Sequence, residues 1–312
     1  MPSPSENVLS KTRAKKISIW DKEVFKTLFY TSSALVAFAF NSILCRMALG
    51  GGEADAAGFT LVRLGSGAVA MTAIMAVAGQ KPNPCRAGNW TSAFFLFGYA
   101  IAFSFAYLGL SAATGALILF GAVQLTIIGF AIYRGERPGK IEWPGLFLAV
   151  GGLVYLVFPG LSAPPLLHSI LMSAAGVCWG AYTIRGKSGN SPIGETAGNF
   201  VKSVPMIVVA ATAFTSQMNL SHRGLLLAVA SGAIASGIGY AMWYSALPSI
   251  SSTRAAILQL LVPLLSAFGG ILLLGESFDP RSIAAGSLIL GGIAISIYAR
   301  KSKNQNEIGT KP

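Results

Sequence analysis

Charged residues are scarce in this chain of 312 residues: they make up 11% of it, whereas hydrophobic residues make up 53%. A soluble domain usually carries about 25% charged residues. With a mean hydropathy of +0.63, a globule of 32.4 kDa would have too few charges to solvate its surface. The composition argues against disorder and against an ordinary cytosolic enzyme, and it indicates an integral α-helical membrane protein.

Residues for metal, disulfide or covalent chemistry are equally rare. The three cysteines, Cys45, Cys85 and Cys178, form no CxxC pair, and the histidines are His168 and His222 alone. This pattern is unlike a disulfide framework or a zinc site. The sequence also has no HExxH, GxSxG or GxxxxGK[ST] motif, so we expect no enzyme, no built-in ATPase and no cofactor.

What the chain does contain is a series of apolar segments separated by short polar connections. A bilayer core about 30 Å thick requires roughly 20 apolar helical residues. By this rule the sequence predicts ten transmembrane helices, at residues 24–48, 56–79, 90–109, 112–132, 143–159, 167–186, 195–215, 224–246, 252–274 and 281–299.

Lysine and arginine are distributed unevenly between the two sides of these spans. If the N-terminus is cytoplasmic, 18 of the 23 basic residues lie inside, three lie outside, and two lie within spans. The positive-inside rule then predicts that both termini face the cytoplasm, which suits an inner-membrane protein. The net charge of +12 is explained by these flanking residues, so the expected partner is the lipid bilayer and not nucleic acid.

The chain also repeats itself at a shift of about 140 residues. Gly151-Gly152 aligns with Gly291-Gly292, and the Gly-Glu pair at 135–136 aligns with Gly275-Glu276, so both Gly-Glu corners are expected to be structural. Five spans per half, an odd number, require the second half to insert upside down. We therefore predict two inverted five-helix repeats, 24–159 and 167–299, joined by a linker at 160–166. Cytoplasmic tails at 1–23 and 300–312 flank them.

The stretch ILQLLVPLLSAFGGILLLGES at 257–277, its counterpart LILFGAVQLTIIGFAIYRGERP at 117–138, and the ten-span duplication resemble the drug/metabolite transporter superfamily, EamA-type. This resemblance implies export of amino acids, other metabolites or drugs. Amino-acid exporters, including exporters of aromatic amino acids, are the most similar kind of member.

Polar and aromatic side chains within the spans are the candidates for substrate binding. Three groups stand out: the intramembrane cations, the membrane-depth amides, and aromatic residues that recur at helical spacing in spans three and eight or, like Trp179, occupy repeat-related positions. They are Arg63 and Lys202; Asn41, Gln124 and Gln259; and Tyr99, Phe103, Trp179, Tyr240, Trp243 and Tyr244.

Each group has a structural alternative. The cations either attract a substrate carboxylate, or snorkel and hold helix ends through carbonyl groups. The amides either bind the polar part of a substrate or bridge helices. The aromatic residues either line a wet cavity or pack against lipid and core.

Acidic residues are missing from the middle of every predicted span: all eleven lie in tails, loops or span ends. Many proton-coupled pumps use a carboxylate buried in the membrane. The sequence therefore disfavours proton antiport through such an acid. The resemblance implies an exporter of small amphipathic metabolites, with amino acids as the leading substrate class, and the inverted repeats suit alternating access through a central cavity. A multidrug or organic-anion exporter and a non-transporting scaffold or sensor are the alternatives. The oligomeric state is left open.

Overall fold

The structure is a computed structural model and is all-helical. It describes residues 4–79, 85–135, 140, 142–158, 160, 163–186, 191–250, 255, 258–277 and 280–309, with side chains between Glu23 and Ala299, Gln217 excepted. In these ranges the main helices are α1 (Pro4–Gly50), α2 (Ala56–Val77), α3 (Trp90–Ala106), α4 (Ala112–Tyr133), α5 (Glu142–Val157), α6 (Leu166–Gly186), α7 (Pro192–Thr212), α8 (His222–Ser249), α9 (Leu261–Leu274) and α10 (Pro280–Gly309).

Six of these helices contain segments that are long and apolar enough to cross a membrane. They are Glu23–Gly50, Ala56–Val77, Ala112–Tyr133, Leu166–Gly186, His222–Ser249 and Pro280–Ala299. Helices α3, α5 and α9 are apolar but shorter. Helix α7 contains Glu195 and Lys202, which lower its hydropathy. An all-helical, multi-pass membrane protein is thus confirmed, whereas the number of ten spans stays a prediction.

Short polar side chains fix where several helices begin. Asp55, Asn89, Ser111 and Ser221 precede α2, α3, α4 and α8, and each side chain accepts a hydrogen bond from a backbone N–H of the first turn. This capping satisfies donors that have no partner within the helix. The caps therefore locate the helix starts at the ends of the bundle.

The Gly-Glu corner at 275–276 ends α9. Gly275 has a φ of 64°, a left-handed conformation that glycine adopts without steric cost. The N–H of Glu276 then donates to the carbonyl of Gly270 at 3.1 Å. The geometry of this corner agrees with its expected structural role. Glu136, of the other corner, lies outside the described residues.

Small residues allow the helices to approach closely. A Cβ on Gly292 of α10 would lie 2.5 Å from the carbonyl oxygen of Gly145 in α5. A Cβ on Gly232, in the π-helical segment Ala230–Ile238 of α8, would collide with the carbonyl oxygen of Arg63 in α2. Lipid tails are as apolar as the helix surfaces, so the hydrophobic effect does not drive helices together in a bilayer. Close van der Waals packing of this kind stabilises their association instead.

The helices pack in a pattern that joins the two halves of the chain. Helix α2 packs on α7, α4 on α9, and α5 on α10. Helix α6 packs on α3 and α4, and α1 packs on α8 and α9. Every one of these contacts connects the first five helices with the last five, so the interior of the bundle lies between the halves.

Candidate functional site

A cavity of about 490 Å³ lies between the halves. Its lining includes Gly186 and Pro192, which flank the α6–α7 connection, and Pro248 near the end of α8. The cavity therefore reaches the end of the bundle where α6 and α8 end and α5 begins. We call this the cavity end, and the opposite end, where α1, α3 and α9 end, the closed end.

Six of the eleven residues predicted from the sequence line this cavity. They come from α4, α6, α8 and the turn before α9, which the fold brings to one volume. They are Gln124, Trp179, Tyr240, Trp243, Tyr244 and Gln259.

One wall of the cavity is a continuous aromatic cluster. The ring centroid of Phe38, from α1, lies 5.8 Å from those of Tyr240 and Trp243, at interplanar angles of 72° and 62°. Trp179 lies 5.0 Å from Tyr240. Edge-to-face and tilted contacts at these distances are the favoured arrangements for aromatic rings. Phe38 was not among the candidates from the sequence, because it is one apolar residue among many in α1.

Part of the lining is polar. Gln124, Glu142, Gln259 and Ser296 all border the cavity, and all are at most 5% exposed. Nε2 of Gln124 is buried and has no hydrogen-bond partner among the described residues. A buried amide nitrogen without a partner is costly unless something in the cavity accepts its hydrogen bond. The site thus combines a large apolar face with a few hydrogen-bonding groups.

Glu142 is the polar residue that sequence reasoning missed. It is the first residue of α5 and was placed among the acids at span ends, yet it is 3% exposed and lines the cavity. Hydropathy does not distinguish a solvated helix end from one that faces a cavity. The packing of α5 on α10, where Ser296 Oγ donates to the carbonyl of Glu142 at 2.9 Å, buries it.

Tyr99 and Phe103 lie in a second layer, behind the aromatic wall. The ring of Tyr99 is 4.9 Å from Trp179 and 5.3 Å from Phe103. The hydroxyl of Tyr99 accepts hydrogen bonds from Asn41 Nδ2 at 3.1 Å and from Arg63 Nη2 at 3.0 Å. Neither Tyr99, Phe103 nor Asn41 is part of the cavity lining in this conformation.

The two intramembrane cations have different surroundings. Lys202 is 9% exposed, and its Nζ donates to the carbonyl oxygens of Cys85 at 2.9 Å and Ala87 at 2.5 Å, in the connection that precedes α3. Arg63 is 1% exposed and sits 4.8 Å from the centroid of the Phe103 ring. Lys202 therefore holds a connection at the cavity end, and Arg63 is enclosed among aromatic rings.

The closed end is held together by polar contacts between the halves. Arg46 Nε at the end of α1 lies 3.2 Å from Glu276 Oε1 after α9. The carboxylate of Glu276 also accepts a hydrogen bond from the N–H of Ala112 at 2.9 Å, and Arg46 Nη1 donates to the carbonyl of Tyr107 at 3.1 Å. This group, which we call the Arg46–Glu276 latch, connects α1, α9 and the α3–α4 corner.

Three further contacts close the same end. Ser221, the N-cap of α8, donates through Oγ to a carboxylate oxygen of Glu53 at 2.5 Å, and Arg223 lies 3.5 Å from the same carboxyl group. Arg281, at the start of α10, donates to the carbonyl of Tyr155 in α5 at 2.7 Å. All these contacts join one half of the chain to the other, at the end away from the cavity.

Comparison with known proteins identifies the family. Residues 166–298 match the model of the EamA-like transporter family. An uncharacterized protein of Pseudomonas aeruginosa is 45% identical, with 90% of this chain and 98% of that protein aligned. A probable amino-acid metabolite efflux pump of Escherichia coli K12 is 24% identical over 69% of this chain and 80% of its own length.

Two more similarities point the same way. The threonine/homoserine exporter RhtA of Escherichia coli K12 is 26% identical over 60% of this chain and 65% of its own length. A solved crystal structure with 18% identity superimposes with a TM-score of 0.63, covering 88% of this chain and 97% of that one, which is a likeness of fold alone. The chain belongs to the EamA-like transporter family, within the drug/metabolite transporter superfamily.

Proposed function

We propose that this protein is a secondary exporter of small amphipathic metabolites in the inner membrane, and that amino acids, aromatic ones included, are its substrates. The observation that carries the proposal is the cavity of about 490 Å³ between the halves, open toward one end of the bundle and latched at the other. A volume of this size matches small-molecule sites. The relatives named as amino-acid exporters make this substrate class the first choice.

The chain in this proposal has ten spans in two inverted halves, 24–159 and 167–299. Exchange of α1–α5 with α6–α10 maps the α3–α6 contact onto α8–α1, and the α4–α6 contact onto α9–α1. It also maps the α2–α7, α4–α9 and α5–α10 contacts onto themselves. A pseudo-twofold axis in the membrane plane accounts for all of these pairings.

The cavity end would face the cytoplasm, together with both termini. Cys85, an exposed native cysteine, lies at this end, and Met218, between α7 and α8, lies at the closed end. An impermeant maleimide should therefore label Cys85 in inverted membrane vesicles but not in intact cells. With Cys85 changed to Ser, Met218→Cys should be labelled in intact cells. The opposite pattern would reverse the orientation and the direction of the cavity.

The two sides of the cavity suit an amphipathic substrate. The wall formed by Phe38, Trp179, Tyr240 and Trp243 would accept an apolar side chain, because burial contributes about 25 cal/mol per Å² of apolar surface. Gln124 and Gln259 would hydrogen-bond the polar end, and Tyr244 also borders the cavity. With few fixed charges in the lining, binding would be weak, which favours release on the far side.

Alternating access would then exchange the open and closed ends. The second layer of Tyr99, Phe103, Asn41 and Arg63 lies between the cavity and the closed end, so it would line the substrate path once the Arg46–Glu276 latch opens. Lys202 is held by backbone carbonyls in this conformation, so in this proposal it contributes to the site only indirectly.

Transport by purified protein in liposomes tests the proposal. Labelled phenylalanine, threonine, a cationic dye and an aromatic carboxylate should be compared, each with and without a pH gradient. We expect saturable, downhill movement of phenylalanine and threonine. Movement of the dye or the aromatic carboxylate alone would favour a multidrug or organic-anion exporter. Movement of none of them would favour a scaffold or sensor.

A further inference from the structure

Arg63 is an enclosed cation with no acidic counterpart beside it in the part of the chain that the structure describes. Its side chain is 1% exposed, and neither ion pair found among the described residues involves it. The faces of two rings lie beside the charge, with the guanidinium carbon 4.8 Å from the centroid of Phe103 and 5.2 Å from that of Tyr99. Cation–π contacts compensate only part of the solvation that burial removes.

The hydrogen-bonding capacity of Arg63 is also incompletely used. Nη2 donates to the hydroxyl of Tyr99 at 3.0 Å, but Nη1 is buried and has no partner among the described residues. A guanidinium presents a planar pair of donors that matches a carboxylate. In Arg63, Nη1 is unused and Nη2 is bound only to the hydroxyl of a tyrosine. Half of the donor pair that would match a carboxylate is therefore free among the described contacts.

Two aromatic side chains, Tyr99 and Trp179, connect Arg63 to the cavity. Tyr99 covers the guanidinium, and Trp179, 4.9 Å from Tyr99, borders the cavity. The hydroxyl of Tyr99 is fixed by Asn41, whose Oδ1 in turn accepts from Ser231 Oγ at 2.6 Å. A relative movement of α3 and α6 that separates Tyr99 from Trp179 would bring the guanidinium to the cavity.

We propose that Arg63 is the subsite that receives the substrate's carboxylate when the aromatic layer opens, so that this exporter selects molecules carrying a carboxylate and passes over the corresponding amines. This deepens the proposed function and rests on it. The other intramembrane cation, Lys202, lies 139 positions after Arg63, close to the shift of about 140 residues at which the chain repeats. Its Nζ already donates to two carbonyl oxygens, which leaves Arg63 as the cation of the pair that an anion can approach.

The substrate comparison needs no variant. In proteoliposomes that contain the wild-type protein, uptake of labelled phenylalanine should be inhibited by unlabelled phenylalanine and by 3-phenylpropionate, which keeps the carboxylate. Phenethylamine, which lacks it, should inhibit about 10-fold to 100-fold more weakly, the effect of losing charge-assisted hydrogen bonds. Equal inhibition by phenethylamine and phenylalanine would overturn the inference and leave export itself standing. Absence of any phenylalanine transport would instead overturn the proposed function.

Variants then assign the effect to Arg63. Arg63→Gln should reduce phenylalanine uptake by about 10-fold or more and leave any phenethylamine uptake within about twofold, while Arg63→Lys should retain part of the preference. If Arg63→Gln is not recovered folded, Tyr99→Phe takes its place, because it keeps the ring and removes the hydroxyl that binds Nη2. This variant should change the ratio of phenylalanine uptake to phenethylamine uptake. Lys202→Gln is the matched control, and we expect it to leave the preference unchanged. Equal loss of both substrates in folded Arg63→Gln, or a preference lost through Lys202→Gln instead, would refute the assignment.

Discussion

Replacing Glu276 with Gln should loosen the end of the bundle that lies opposite the cavity. The carboxylate of Glu276 lies 3.2 Å from Arg46 Nε and accepts a hydrogen bond from the N–H of Ala112 at 2.9 Å. It therefore joins the end of α9 to the end of α1 and the start of α4. Gln keeps the shape of Glu and one acceptor oxygen but loses the negative charge. The change therefore removes the attraction to Arg46 and leaves most of the packing in place.

The magnitude follows from the exposure of the pair. The side chains of Arg46 and Glu276 are 27% and 15% exposed, so solvent screens their attraction only in part. A hydrogen bond to a charged group contributes about 1.5–3 kcal/mol, and we take the lower part of this range because Gln retains one acceptor. About 1.5–2 kcal/mol corresponds to a roughly 10-fold to 30-fold increase in the fraction of molecules open at the latched end.

Cys45 offers a native reporter of that opening. It is fully buried, directly beside Arg46 in α1, and the other two cysteines, Cys85 and Cys178, can be replaced by Ala. In this background an impermeant thiol reagent applied from the closed end should label Cys45 about 10-fold to 30-fold faster in Glu276→Gln than in the wild type. The labelling rate measures the open fraction when opening and closing are fast.

The matched control lies at the same end. Arg223 is 66% exposed and 3.5 Å from Glu53, and surface pairs of this kind contribute about 0–1 kcal/mol. Arg223→Gln should therefore change the labelling of Cys45 by no more than a few-fold. If Glu276→Gln leaves the labelling unchanged at an unchanged unfolding temperature, the Arg46–Glu276 pair does not hold this end closed, and our account of alternating access is wrong at this point.

Three further predictions concern the cavity wall, the helix packing and the second cation. Trp243→Ala should reduce phenylalanine transport in liposomes more than threonine transport, since only the larger side chain depends on the aromatic wall; an equal loss would indicate packing alone. Gly292→Ala should destabilise the folded protein by about 1–3 kcal/mol in a thermal or denaturant assay, because the new Cβ would lie 2.5 Å from the carbonyl oxygen of Gly145. The control Gly291→Ala, whose Cβ points into open space, should be neutral or stabilising. Lys202→Met should lower the unfolding free energy by about 1.5–3 kcal/mol by removing two charge-assisted hydrogen bonds, and a variant as stable as the wild type would show that these bonds contribute nothing.

The candidate residues differ in whether residues of neighbouring helices cover them and keep them from the cavity. Spacing and depth in a predicted span indicate Tyr240 and Trp243, the repeat indicates Trp179, and the fold brings all three to one cavity. Tyr99 has the same spacing signal but lies one layer behind, because Trp179 stands between it and the cavity. Helical periodicity gives the face of a helix on which a residue lies, but not which residue of another helix covers it.

The sequence by itself determined the class of protein, the positions of most helices and the family. These depend on local properties: the hydropathy of a segment, the short polar residue that caps a helix, and the glycine that ends one. Each can be evaluated within about 20 residues, so no knowledge of the partner helices is needed.

Only the tertiary structure decided which polar residues face the cavity and which already have hydrogen-bond partners within the protein. Arg63 and Lys202 are both basic residues within predicted spans and look equivalent in the sequence, yet Lys202 donates to two backbone carbonyls and Arg63 is enclosed by Phe103 and Tyr99. The sequence places Glu142 only among the acids of tails, loops and span ends, whereas the packing of α5 on α10 buries it. The physical reason is that burial and hydrogen bonding depend on residues far away in the chain, whose approach is set by the contact between helices and not by the segment in which each residue lies.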